Sequence, residues 1–322
     1  MTSFIEASDW HGRFDPEDGD ESIRWHQRVV TQAGADKQAQ SGLIGFASDA
    51  GIARNKGRIG AAQGPFVLRD QLKNLAWHGG NSQVVDFGTV TVDDGRLEAG
   101  QTALAAAVSR ALPKVARLLV VGGGHETAWG TFNGLIQAFD PASTRIGIIN
   151  LDAHFDLRKV GEQGPSSGTP FYQMAERLGA DDFHYCCLGV SRTSNTPALF
   201  QRADDLGVSY MEDWQMQPDR MSDIKQRLRT FCESLDLIYL TIDLDVLPHY
   251  QAPGVSAPAA RGVPLIVVEG IIDEILSIVP FLRHGMPLVE MCELNPIYDV
   301  SGMTARTAAL LANTLLCSRT LA

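Results

Sequence analysis

Six side chains of this sequence could hold metal ions, and they fall in three short segments far apart along the chain. His125 lies in VVGGGHE (120–126), Asp152, His154 and Asp156 in IINLDAHFD (148–156), and Asp243 and Asp245 in IYLTIDLDV (238–246). Each segment is an apolar run of strand length that ends in its polar residues. In LDAHFD the three side chains are spaced by two, so a chain that stays extended past its strand projects all three from one face; the same holds for Asp243 and Asp245. His125 follows three glycines, which permit a sharp turn and close approach to a neighbouring strand. Four carboxylates and two imidazoles without a thiolate form an oxygen-rich donor set that favours Mn2+ over a structural zinc site. Four carboxylates gathered at one edge would repel by several kcal/mol, and their charges match two divalent cations. Two such ions, sharing bridging carboxylates and a bridging water, would lower the pKa of that water from about 15.7 to near neutrality. Hydroxide would then be available at pH 7 without a serine or cysteine nucleophile.

A single Asp-x-His or Asp-x-Asp after a strand is more often a helix N-cap or turn residue, because aspartate satisfies orphan amides there. Coincidence at three places is far rarer, and GGGH fits neither common glycine-rich phosphate loop.

The elements that must position these residues follow from hydrophobic patterning. From about residue 42, short apolar β-rich runs alternate with amphipathic stretches, the pattern of a parallel sheet covered by helices on both faces. Strands are predicted at 42–47, 83–87, 117–122, 145–151, 184–190, 207–211, 236–242 and 287–293. Helices are predicted in ALAAAVSRAL, TAWGTFNGLIQAF, TPFYQMAERLG, 221–234, PLIVVEGIIDEILSIV and the alanine- and leucine-rich end from 303. This reads as one doubly wound α/β domain over 1–322, in which the ligands sit at the carboxyl edge of the sheet. The first 40 residues are more polar and are expected to wrap the surface. Three Gly/Pro-rich loops that carry cations, 48–65, 157–170 and 248–264, are the natural places for further site residues.

The net charge of −11 opposes encounter with nucleic acid or an anionic membrane, which leaves a small molecule as the partner class. Five cysteines without CxxC spacing form a poor disulfide framework and point to buried thiols in a reducing compartment. The N-terminal segment lacks the basic and apolar regions of a secretory signal, and no apolar run approaches the roughly 20 residues of a membrane helix. A cytoplasmic location is expected.

At these motifs the sequence resembles the ureohydrolase superfamily, the arginase and agmatinase group, over nearly the whole chain. GGGHE, DAHFD and DLD match its metal signatures, and ELNP at 293–296 resembles its last motif. The segments 10–19, 51–65, 155–158, 165–171 and 191–196 resemble the formimidoylglutamase branch. The resemblance implies a three-layer α/β/α domain around a mostly parallel sheet of about eight strands, a dinuclear Mn2+ centre and a homo-oligomer. It implies that His125 and Asp156 bind one ion, His154 and Asp245 the other, that Asp152 and Asp243 bridge them, and that Glu293 grips the amidine. Ser167 stands where arginase and agmatinase have a histidine, which disfavours arginase-like proton transfer. The implied reaction, part of histidine degradation, is hydrolysis of N-formimino-L-glutamate to L-glutamate and formamide, with Asp156 moving the proton. An agmatinase- or guanidinobutyrase-like enzyme releasing urea is the alternative. A substrate with an amidine and two carboxylates needs cations, and Arg158, Arg192 and Arg58 are the candidates; Arg54 and Lys56 read as solvated loop charges. No chemistry is assigned to His184, His249 or His284, and Tyr298, Asp299 and Arg306 are expected to support the site from behind.

Overall fold

The computed structural model describes residues 2–31 and 39–317, so part of the expected N-terminal extension lies outside the described residues. Among the described residues ten strands form one sheet: β1 (Thr2–Ile5), β2 (Val29–Thr31), β3 (Ala39–Ala47), β4 (Val84–Val92), β5 (Val115–Val121), β6 (Ile146–Leu151), β7 (His184–Val190), β8 (Ser209–Glu212), β9 (Leu237–Asp243) and β10 (Gly285–Cys292). Nine α-helices accompany them among the described residues: α1 (Ala50–Arg54), α2 (Gly64–Leu72), α3 (Leu97–Ala111), α4 (Thr127–Ala138), α5 (Pro170–Leu178), α6 (Pro197–Asp205), α7 (Met221–Cys232), α8 (Leu265–Ile278) and α9 (Met303–Leu316).

Strand order is β1-β4-β3-β5-β10-β9-β6-β7-β8, with β2 also paired to β4. Every pairing is parallel except β1 with β4. Successive residues of the central strands point to opposite faces. Leu119 and Val121 of β5, with Leu240 and Ile242 of β9, join the core beneath α2, α7, α8 and α9. Leu118, Val120, Leu237 and Tyr239 join the core beneath α3, α4, α5 and α6. Both faces are buried, which explains why the central strands read as continuous apolar runs. The same alternation separates Cys186 from Cys187: they occupy opposite cores as free thiols.

All eight predicted strands are present, so the expected three-layer α/β/α architecture is observed. Two short strands were not foreseen: β1 and β2 lie against β4, and Trp25, fully buried, stacks edge-on to Trp77. The N-terminal segment therefore contributes to sheet and core rather than only wrapping the surface. Helices α1, α2 and α6 were also missed, because Gly/Pro-rich flanks masked short amphipathic turns. Among the described residues, no helix is long and apolar enough to cross a membrane.

One feature of the topology places the site. The chain runs outward from β5 to β6, and β9 and β10 later fill the gap between them, so order and direction change at β5-β10-β9-β6. In open α/β sheets the carboxyl ends at such a point frame the ligand crevice.

Candidate metal centre and substrate cavity

His125 follows β5, Glu293 follows β10, Asp243 ends β9 with Asp245 in the turn after it, and Asp152, His154 and Asp156 follow β6; these four strands are adjacent. The six candidate ligands therefore converge, in two groups that share a residue: His125, Asp152, Asp156 and Asp243, and Asp152, His154 and Asp245. His125 Nδ1 lies 3.0 Å from Asp152 Oδ2, 3.1 Å from Asp156 Oδ2 and 3.3 Å from Asp243 Oδ2. His154 Nδ1 lies 3.0 Å from Asp245 Oδ2 and 3.5 Å from Asp152 Oδ1. Asp152 thus turns one oxygen to each group, the arrangement a bridging ligand needs. Asp243, also expected to bridge, meets only the His125 group, because its Oδ1 accepts from the backbone N–H of Asp245 at 2.8 Å.

Local geometry explains the convergence. Gly123 passes so close to β3 that a Cβ there would lie 2.0 Å from the Ser48 carbonyl oxygen, which is why glycine precedes His125. The backbone N–H of His154 donates to Asp152 Oδ1 at 2.6 Å, and Asn195 accepts from Phe155 N–H while donating to the carbonyl of Ala153. Asp156 (φ 47°) and Glu293 (φ 71°) are held in the left-handed region, strain that is concentrated at functional sites.

The donor set fits divalent cations on the chemistry of one nitrogen. His125 Nε2 lies 3.0 Å from Thr241 Oγ1, whose hydroxyl donates to Glu290 Oε1 at 3.1 Å. This hydrogen-bond chain engages one imidazole proton at Nε2 and leaves Nδ1, aimed among three carboxylates, as the nitrogen that would take a metal ion or, in its place, a second proton. Burial alone would lower the affinity of His125 for a proton, yet Asp152, Asp156 and Asp243 hold it well above the usual histidine value. His154 is raised in the same way, chiefly by Asp245 against its own burial. Burial pushes Asp156, Asp243 and Asp245 upward. It opposes ionisation of Asp152 too, but hydrogen bonds from both histidines pull that carboxyl below its ordinary value. The cluster calls for positive charge between its members. Thr241 and Glu290 escaped the sequence reading; polar residues inside an otherwise apolar strand were the available signal.

A cavity of about 330 Å3 opens onto these ligands. Its lining includes His154, Asp156, Asp243, Asp245 and Glu293, together with Arg58, Arg158 and Ser167. Glu293 Oε1 accepts from the backbone N–H of His125 at 3.1 Å, whereas Oε2 is buried without a hydrogen-bond partner. Burial pushes this carboxyl up to about 8, so a cation beside it would be strongly favoured. Glu126 was not singled out: it is fully buried, accepts from Gly51 N–H at 2.8 Å and Ser48 Oγ at 3.2 Å, and so ties the turn after β5 to the start of α1.

Arg192 is a correction. It does not line the cavity: its guanidinium pairs with Glu212 and lies over the Phe200 ring, 4.6 Å from the centroid. Arg58 lines the cavity but its nitrogens are engaged, Nε donating to Ser256 O at 3.0 Å and Nη2 to Val255 O at 2.6 Å, with Tyr298 stacked 4.0 Å from its carbon. Tyr298 therefore supports the rim, as expected. Asp299 instead caps α9 by accepting from Thr304 and Ala305 N–H.

The chain belongs to the arginase family, whose profile matches residues 39–317. It is 46% identical to the formimidoylglutamase of Vibrio cholerae over 322 residues, covering 96% of this chain and 94% of that protein. Among solved structures it is similar to formimidoylglutamase from Bacillus subtilis, with TM-score 0.81 and 22% identity over 97% of this chain and 95% of that one. It is also similar to Trypanosoma cruzi formiminoglutamase with Mn2+, with TM-score 0.75 and 24% identity over 88% of this chain and 95% of that one.

Proposed function

We propose that this protein hydrolyses N-formimino-L-glutamate to L-glutamate and formamide, as a dinuclear Mn2+ hydrolase of histidine degradation. The observation that carries the reading is the meeting of two groups of ligands at Asp152, beneath a cavity that holds the unpartnered Glu293 Oε2 and a cationic rim. His125, Asp156 and Asp243 would hold one ion, His154 and Asp245 the other, with Asp152 shared. When bound, the two ions supply hydroxide at neutral pH and stabilise developing negative charge.

This chain's own residues do the rest. Glu293 Oε2 accepts a hydrogen bond from the substrate amidinium and holds its carbon in line, a charge-assisted contact to a buried carboxylate. The carboxylate of Asp156 takes a proton and returns it to the departing α-nitrogen of glutamate. Ser167, in the cavity lining, leaves room where a bulkier imidazole would intrude. Cations at the rim suit a dicarboxylate and would repel agmatine, a dication, so the urea-releasing alternative gains no support.

The test is turnover of N-formimino-L-glutamate by metal-free protein with and without added Mn2+, with formamide and urea measured over a panel of amidines and guanidines. Release of urea from agmatine in preference to formamide from formiminoglutamate would overturn the reading. Four buried free thiols support a reducing, cytoplasmic setting, and exposed Ile297, Val300 and Met303 near the rim support a homo-oligomer, which light scattering would check.

A further inference from the structure

Five cations on three loops could meet the carboxylates of the substrate, and most of them are engaged elsewhere. Arg54 pairs with Glu98 and donates to the carbonyls of Pro165 and Gly95. Arg58 is held by two carbonyls and Tyr298, and Arg192 by Glu212. Among the described residues that line the cavity, Lys56 and Arg158 are the cations whose side chains meet neither a carboxylate nor a carbonyl.

Lys56 is the unexpected member, since in sequence it reads as a solvated loop charge. Helix α1 ends in a pair of crossed backbone bonds, Lys56 N–H to Ala53 O at 3.0 Å and Gly57 N–H to Ile52 O at 2.9 Å, which form a Schellman cap. That cap places residue 56 in the left-handed region, and its φ is 62°. Glycine is the usual occupant of such a position, because a Cβ is strained there. This chain has a glycine one residue further on, at Gly57, yet sets the lysine in the strained place, where the turn carries it to the cavity lining. A helix cap alone gives no reason for that choice; a need for a cation at this point of the rim does.

We infer that Lys56 determines specificity by binding one of the two carboxylates of the substrate, while Arg158 takes the other. The inference rests on the reading of the cavity as a formiminoglutamate site. The roles suit the groups: the guanidinium offers a bidentate fork, and the ammonium offers three donors without a fixed plane. It also explains why the rim needs two unpaired cations beside a floor that is acidic.

The experiment compares wild-type, Lys56→Gly and Lys56→Met enzymes, loaded with Mn2+. Substrates are N-formimino-L-glutamate, N-formimino-4-aminobutyrate, which lacks the α-carboxylate, and N-formimino-L-2-aminobutyrate, which lacks the side-chain carboxylate. Both variants should raise KM for formiminoglutamate about 10- to 100-fold and leave kcat within a few-fold, the pattern of lost ground-state binding. Lys56→Gly should melt no lower than wild type, because glycine suits the cap, so a fall in affinity cannot be ascribed to misfolding. On one of the two analogues wild type and variants should be equal, and that analogue identifies the carboxylate Lys56 serves. Unchanged KM in both variants, or the same loss on both analogues, would overturn the role of Lys56 and leave the proposed reaction standing. A wild-type enzyme inactive on formiminoglutamate would overturn both.

Discussion

The floor and the rim of the cavity are built on opposite principles. The floor is anionic, buried and made from residues within a few positions of four adjacent strand ends, its carboxylates tied to backbone amides and to one another's histidines. The rim is cationic and more open, made from long side chains on loops: Lys56 and Arg58 on the stretch after β3, and Arg158 beyond the ligands that follow β6. The difference separates two tasks. Where the ions sit, and so what kind of reaction can occur, is fixed by strand register and cannot change without disturbing the sheet. Which amidine is accepted is set by side chains that could be exchanged while the sheet stays as it is.

Removing metal is the harshest way to test the floor, and it should abolish turnover while Mn2+ restores it. It should also lower the melting temperature, because the bare cluster keeps several buried carboxylates beside one another. The size of that drop depends on pH with a definite sign. Protons and metal compete for the same groups: His125 and His154, held above the usual histidine range, and Asp156, Asp243 and Asp245, pushed up by burial, all gain protons as pH falls. Metal affinity therefore weakens on acidification, and the difference in melting temperature between loaded and metal-free protein should narrow from pH 8 to pH 6. A gap that widens on acidification would mean that the cluster does not hold the ions.

Glu293 tests the join between floor and rim. Glu293→Gln should lower kcat by about 10²- to 10³-fold, the usual effect of losing one preorganised electrostatic contact, with two metals per chain still found by elemental analysis. Loss of metal together with activity would make Glu293 a ligand rather than the grip for the amidine.

How well each region could be read from sequence follows the same division. His125, Asp152, His154, Asp156, Asp243 and Asp245 were legible because each follows an apolar run that ends at the carboxyl edge of the sheet; the expected extended chain is not what gathers them, since Asp156 has a φ of 47° and Asp245 lies in a 3-10 turn over Leu244–Val246. Eight strands were legible from their apolar runs. The cations were legible only in part, because a loop cation's partner is a matter of tertiary contact: Arg158 and Arg58 line the cavity as expected, Arg192 turns to Glu212, and Lys56 reaches the rim only through a helix cap that a Gly/Pro-rich stretch concealed. The N-terminal segment misled for a related reason. Its polar composition hides Trp25, a single large core residue whose indole N–H is satisfied by Asn313 at 2.8 Å.

A milder perturbation of the floor leaves every ligand in place. Thr241→Val keeps the shape of the side chain but removes the hydroxyl between His125 Nε2 and Glu290, so the imidazole loses the contact that fixes its tautomer. Such outer partners are typically worth 10- to 100-fold in metal affinity, and calorimetric titration of metal-free protein with Mn2+ should show a loss of about that size. Undiminished affinity would show that ring packing against Phe171, 5.3 Å away between centroids, is enough to orient His125.

The smallest effect is expected at Arg192, and it is informative because it is small. The sequence puts this arginine just past the end of β7, beside SRTSNT, where a substrate contact is a reasonable expectation. In the structure it does not line the cavity, its charge is met by Glu212 and its plane lies against Phe200. Its guanidinium lines no part of the cavity and pairs with the buried carboxylate of Glu212, so Arg192→Ala should leave kcat/KM for formiminoglutamate within about twofold of wild type, any cost falling on stability instead. Arg158→Ala, made in parallel, should raise KM at least about tenfold, because it removes a charge-assisted contact at the rim. If the two arginines instead proved equally important, loop 191–196 would have to close over the cavity when substrate binds. The division of labour between a fixed floor and an open rim would then describe only the protein without its substrate.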